Sequence, residues 1–161
     1  MAFSIENKNE KLMKTEGLTI YGLALGMWEL FGESSFATCP TIGEILMMDL
    51  ASESGIDIDG QSPEHILSEV TRLLIQGGGL FTSANGSVDG NKLLFSCQNC
   101  SYSKGTASLE EMGVQPFYCP AYNIIVTAMN LGRGSRSQFV SRKWEESTQT
   151  CTLELKLIET M

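Results

Sequence analysis

Histidine is nearly missing from this chain, and that scarcity removes more functions than any other feature. With one histidine, His65, neither a serine nor a cysteine triad of the usual kind can be assembled. His65 shares the polar side of its helix with Glu69, Arg72 and Gln76, opposite Ile66 and Val70. It is therefore expected in solvent, which also disfavours a haem role. No acid–base pair is identifiable, so a non-enzymatic function is expected and no catalytic residue is assigned.

Positive charge is scarce too. Eleven Lys and Arg against nineteen Asp and Glu give a net charge of −8, a poor basis for gripping nucleic-acid phosphates. Long apolar runs are also lacking. The longest, Leu18 to Phe31, falls short of the ~20 residues a span requires, so no membrane span is expected. Residues 1–16 carry no apolar segment or cleavage site of a secretory signal, which points to the cytoplasm. Gly77-Gly78-Gly79 follows a helix instead of linking a strand to one, and neither standard phosphate-binding glycine pattern is present.

What remains is an ordinary globular chain, 42% apolar and 19% charged over 161 residues, suited to one domain. Residues 1–16 read as a flexible lead-in and residues 17–161 as the domain. Leu18, Tyr21, Leu25 and Trp28 recur at helical spacing, with Ile20, Leu23, Met27, Leu30 and Phe31 widening the face. So broad an apolar circumference suits burial or a subunit interface, and a homodimer through this helix is expected. A second helix starts at Cys39-Pro40, with Ile42, Ile45, Leu46 and Leu50 as its stripe. A third starts at Ser62-Pro63-Glu64, a cap followed by a first-turn proline and an acid, and buries Ile66, Val70, Leu73 and Leu74.

The period then becomes alternating. Leu80 to Ala84 and Lys92 to Cys97 read as strands joined across Asn85-Gly86 and Asp89-Gly90, and residues 101–116 read as a loop. Cys119-Pro120 opens a fourth helix, with Ile124, Ile125, Ala128 and Leu131 facing inward. Gln138 to Glu145 and Thr150 to Ile158 form a last hairpin, whose final strand sets Cys151, Leu153, Leu155 and Leu157 on one face. The expected fold is α+β in the order α-α-α-β-β-α-β-β, an antiparallel sheet of two hairpins packed against helices.

Four of the five cysteines lie in the last part of the chain: Cys97, Cys100, Cys119 and Cys151. An odd count without a secretory signal leaves the thiols reduced and available. Cys97-Gln98-Asn99-Cys100 has the spacing at which a backbone knuckle presents two sulfurs to one ion, and four thiolates satisfy a closed zinc site. Redox sensing and plain packing are the alternatives, the latter because Cys97 and Cys151 lie on apolar strand faces. Cys119 is the expected reactive thiol, since a helix N-terminus stabilises thiolate. Cys39 has no partner nearby in sequence and is expected to be buried. Arg133, Arg136, Arg142 and Lys143 form a basic stretch that reads as a solvated face. Met47, Met48 and Met129 suit core filling or an adaptable apolar pocket.

Asn99-Cys100-Ser101-Tyr102, then Phe117-Tyr118-Cys119-Pro120 opening a helix, then Cys151-Thr152-Leu153-Glu154-Leu155 resemble the 4-vinyl reductase domain family of hydrocarbon-binding proteins. The resemblance implies a fold akin to a transport-particle subunit and to haem nitric-oxide-binding domains. It implies a stand-alone, often dimeric module for a small apolar ligand, with zinc held by cysteines and a glutamate in aromatic-sensing relatives. Carried over, Cys119 and Cys151 fit the family's cysteine positions, with Cys97 or Cys100 as a further candidate. Family pattern and helix geometry together make Cys100, Cys119 and Cys151 the working metal set, with Cys97 as the optional fourth, and the ligand-pocket candidates are Trp28, Met47, Tyr118, Tyr122 and Met129. Two departures touch the glutamate ligand and the helix start. Ala121-Tyr122-Asn123 stands where the family often has glycine, and Glu145 and Glu146 are displaced from the family's position before the last cysteine.

Overall fold

Prolines mark three of the helix starts in the computed structural model. It describes residues 5–158, with side chains except at 5–13, 53, 54 and 104. Helix α1 (Ile5–Phe31) runs into a 3-10 segment (Gly32–Thr38), followed by α2 (Cys39–Ser54) and α3 (Pro63–Gln76). Strands β1 (Ser83–Asp89) and β2 (Lys92–Gln98) form the first hairpin. Then come α4 (Ser103–Glu111), α5 (Pro120–Arg133), β3 (Arg136–Glu145) and β4 (Thr150–Ile158). Pro40, Pro63 and Pro120 sit in first turns, where a missing N–H costs nothing. The Ser62 hydroxyl caps α3 by accepting from the His65 N–H at 3.3 Å. Gly134, in the left-handed region at φ 68°, ends α5. The α+β order expected from the sequence is observed, with α4 added between β2 and α5.

The four strands pair antiparallel in the order β1-β2-β4-β3. Their register builds cross-sheet rows on the inner face. Ala84, Cys97, Cys151 and Trp144 form one, Gly86, Phe95, Leu153 and Arg142 the next, and Val88, Leu93, Leu155 and Phe139 a third. Helix α5 is the central element, buried without interruption from Ala121 to Met129, and it packs against α2, α3 and β3. Helix α2 crosses it at Gly43. A Cβ there would overlap Thr127 Oγ1 and the Asn123 carbonyl oxygen, so only glycine allows this approach. Thr127 Oγ1 donates to the Pro40 carbonyl at 3.3 Å across the same contact. Among the described residues no helix is long and apolar enough to cross a membrane.

Several local expectations change. Helix α1 begins at Ile5, so helix replaces much of the lead-in expected over 1–16; residues 1–4 lie outside the described residues. Strand β1 spans Ser83–Asp89, not 80–84, and Asn85-Gly86 lies inside it. A Cβ on Gly86 would fall 2.6 Å from Leu67 Cγ; this glycine lets α3 press onto the strand. The turn sits instead at Gly90-Asn91, with Gly90 at φ 58°. Residues 103–111 form α4 where a loop was expected. Ile45 and Leu131, expected inward, are 63% and 53% exposed.

Candidate functional site

The register of the two central strands sets Cys97 directly opposite Cys151, both buried. Strand β2 ends at Gln98, and Asn99 takes a left-handed conformation at φ 54°, which asparagine tolerates better than most residues. This turn brings Cys100 back toward Cys97, which interacts electrostatically with both Cys100 and Cys151. Cys119, the N-cap residue of α5, is buried within electrostatic reach of Cys100 and Cys151. Cys39, at the start of α2, donates its S–H to the Phe117 carbonyl at 3.2 Å and interacts with Cys119. All five thiols are free and form one connected group. Cys39, which has no sequence neighbour among the cysteines, joins it through the α2–α5 crossing.

Arg142 faces this group. The β3–β4 register shifts between Phe139 and Ser141, and the extra residue turns Arg142 onto the inner face. A bulge of this kind re-aims a side chain without breaking the sheet. The Arg142 side chain is 2% exposed. It ion-pairs with Glu110 of α4 and is hydrogen-bonded to Cys151. Arg142 therefore does not belong to the solvated basic face expected over residues 133–143.

The thiols divide by environment. Cys97 is pushed up because the neighbouring Cys100 and Cys151 sulfurs favour its protonated form, and burial adds to this. Cys100 lies below the usual thiol value, chiefly because the Cys97 side chain favours its thiolate, against the opposing effect of burial. The Tyr102 and Ser103 backbone and the Arg142 charge add to the lowering. Cys151 is lowered for the same first reason, and by Arg142. Burial pushes Cys39 and Cys119 up to about 12. At Cys119 the Tyr122 backbone hydrogen bond lowers the value, but desolvation outweighs it. The expectation that Cys119 is the reactive thiol is thus reversed. Cys100, half-buried and thiolate-favouring, takes that place. Glu110 is raised by burial in spite of Arg142.

Among the described residues, no group of three or more His, Cys, Asp or Glu stands as a preformed metal site. His65 is on the surface, 3.8 Å from Asp57.

Beside the cluster lies a cleft of about 600 Å³. Its walls are α1 (Leu18, Ile20, Tyr21), the glycine turn (Gly78, Gly79, Leu80) and the α4 side (Tyr102, Thr106, Leu109), and Tyr118 also lines it. The Tyr118 hydroxyl donates to the Thr106 carbonyl at 3.4 Å. Tyr118 is the one pocket candidate from the sequence that lines this cleft. Trp28 stacks on Phe117 at 6.2 Å, and Tyr122 meets Phe36 edge-on at 5.6 Å. Met47 and Met129 are buried in the core. These four fill the interior around α5. Arg142, Glu110, Thr106 and Leu109 had no sequence signal, because a bulge and a tertiary-stabilised helix place them.

Fold and site define a mixed α+β domain in which a buried thiol cluster with its own cation adjoins a surface cleft. Residues 13–160 match the family described as "Putative rubredoxin C-terminal domain", and the chain belongs to that family. Comparison with curated proteins finds no match.

Proposed function

We propose that this chain is a non-catalytic small-molecule-binding module whose cysteine cluster holds a soft metal ion, zinc or iron, beside a cleft for a small apolar ligand. The observation that carries it is the meeting of Cys97, Cys100 and Cys151, with Cys119 within electrostatic reach. Sulfur-only sites of this composition suit zinc or iron, and the family's description, with rubredoxin in its name, supports thiolate–metal chemistry. The cluster supplies the donor type that such an ion takes, with no preformed set of three among the described residues, so an ion would have to draw it together. Its sulfurs already share protons that a metal would displace, and Arg142 offsets part of the negative charge.

Cys97, Cys100, Cys119 and Cys151 would hold the ion, which would supply a cross-link between β2, β4 and the start of α5. The chain's own residues do the rest. Cys97 and then Arg142 favour the Cys151 thiolate, Asn99 turns Cys100 into place, and burial keeps water from Cys97, Cys119 and Cys151. The ligand would enter the cleft between α1 and α4, where Leu18, Ile20 and Leu109 offer apolar contact. The cleft volume lies in the range of small-molecule sites. The resemblance to 4-vinyl reductase domains supports the same reading. A homodimer through α1 and α2 accompanies it, supported by the exposure of Leu18, Leu23, Leu30, Phe31, Ile45 and Met48.

Metal analysis of protein purified without added metal tests the proposal. About one equivalent of zinc or iron per chain is expected; none, with every thiol reactive in denaturant, would sink the metal half. Light scattering tests the dimer, and a monomeric mass removes it.

A second reading rests on Cys100 being the half-exposed, thiolate-favouring member of a touching pair. In it, Cys97 and Cys100 lose two protons and two electrons to a peroxide-class oxidant and form a disulfide. Thiol titration before and after mild oxidation separates the two, because a metal-loaded cluster resists.

A further inference from the structure

The two edges of the sheet are guarded unequally. At β3 the register shift between Phe139 and Ser141 interrupts the strand, and Arg136 and Lys143 are exposed along it. A bulge and basic side chains are the usual protection of an edge against pairing with another chain. At the other edge β1 pairs with β2 residue for residue, with no bulge. Its sequence, Ser83-Ala84-Asn85-Gly86-Ser87-Val88-Asp89, contains no Lys, Arg or Pro. Ala84 and Val88 are half-buried and the other five residues are exposed.

The groups that this edge offers follow from the hydrogen-bond alternation of the sheet. The Leu157 N–H donates to the Asn91 carbonyl at 2.7 Å, and the Asn99 N–H to the Gln149 carbonyl at 2.9 Å. Both bonds continue the β2–β4 register, so Leu93, Phe95 and Cys97 bond to β4 and the residues alternating with them bond to β1. On β1 the bonded residues are then Ser83, Asn85, Ser87 and Asp89. The N–H and C=O groups of Ala84, Gly86 and Val88 point outward, and none has another backbone partner among the described residues.

We infer that β1 is a self-pairing edge: it joins antiparallel to β1 of a second copy about a two-fold axis at Gly86, fusing the two four-stranded sheets into one. In that register Ala84 exchanges both its hydrogen bonds with Val88 of the partner subunit, and Gly86 with Gly86 of the partner subunit. About six bonds form in all, and any slipped register forms fewer. A two-fold interface requires a self-complementary surface, and this one is. On the outer face Asn85 meets Ser87 of the partner subunit and Ser83 meets Asp89 of the partner subunit, so no like charges oppose. On the inner face Ala84 meets Val88 of the partner subunit, apolar against apolar. The edge is separate from the α1–α2 face and from both proposed sites.

Sedimentation of the full chain across a range of concentrations, with residue-resolved amide exchange, tests the pairing. Exchange at Ala84, Gly86 and Val88 is expected to slow as concentration rises, while Ser83, Asn85 and Ser87, already bonded to β2, stay constant. Asn85→Lys with Ser87→Lys sets lysine against lysine across the axis and should weaken association roughly tenfold. Asn85→Lys with Ser87→Glu sets lysine against glutamate and should tighten it by a similar factor. Both variants alter exposed side chains only, and an unchanged Tm confirms that the fold is kept. Equal masses for parent and variants, with the three outward amides exchanging freely at every concentration, overturn the inference; any dimer that remains is then the α1–α2 one, and the proposed function stands. Protection of those amides by an unrelated β-strand peptide, without self-association, also overturns it by assigning the edge to another protein.

Discussion

Replacing Gly43 by alanine should destabilise the protein even though alanine is the better helix former. In an open helix interior Gly→Ala gains about 1 kcal/mol. At Gly43 the new Cβ would overlap Thr127 Oγ1 and the Asn123 carbonyl oxygen and lie 2.8 Å from Thr127 Cβ. The Thr127 hydroxyl can rotate away, but the carbonyl and the Cβ belong to the α5 frame. The helices must part, at an overpacking cost of about 3 kcal/mol, the upper part of the usual range. The net loss is roughly 2 kcal/mol, which lowers Tm by about 4–8 °C for a domain of this size. Thermal unfolding followed by circular dichroism, with metal content held equal, measures it. Gly22→Ala on α1 is the control, because its added Cβ meets nothing within 4 Å. It should raise Tm by roughly 2–4 °C unless a second copy covers that face. A Gly43→Ala Tm equal to or above that of the parent would refute the α2–α5 contact as the reason for glycine.

Other outcomes follow from the same geometry. Leu109→Ala should cost about 2–5 kcal/mol in denaturant unfolding, because Leu109 is 1% exposed and is the one large apolar anchor of α4. Arg142→Met should cost about 3 kcal/mol by stranding Glu110, and adding Glu110→Leu should recover most of it. In metal-free, reduced protein, iodoacetamide with mass mapping should label Cys100 first, while Cys39 and Cys119 stay protected until unfolding. Because burial raises those two thiols from 9.0 to about 12, the unfolded chain ionises first as pH rises. Folding stability should therefore fall as pH climbs from about 9 toward 12, as read by urea midpoints.

The sequence shows whatever depends on local chemistry. The prolines at 40, 63 and 120 mark helix starts, and the alternation in β4 names its inner face. It hides what depends on tertiary contact. Gly86 reads as a turn but is a strand glycine made necessary by Leu67 of α3. Arg142 reads as solvated because nothing in its neighbours announces the bulge that inverts it. Cys119 reads as reactive from its place at a helix start, yet burial outweighs the backbone hydrogen bond that lowers it there. Helix α4 is the clearest case, since its composition favours a loop and only its contacts make it helical.

X-ray absorption at the edge of the bound metal tests the central claim most directly. The account predicts a shell of three or four sulfurs at about 2.3 Å for zinc, losing one sulfur in Cys119→Ser when four are present. A first shell dominated by nitrogen and oxygen, or one unchanged when Cys97, Cys100 and Cys151 are replaced by serine, would contradict it.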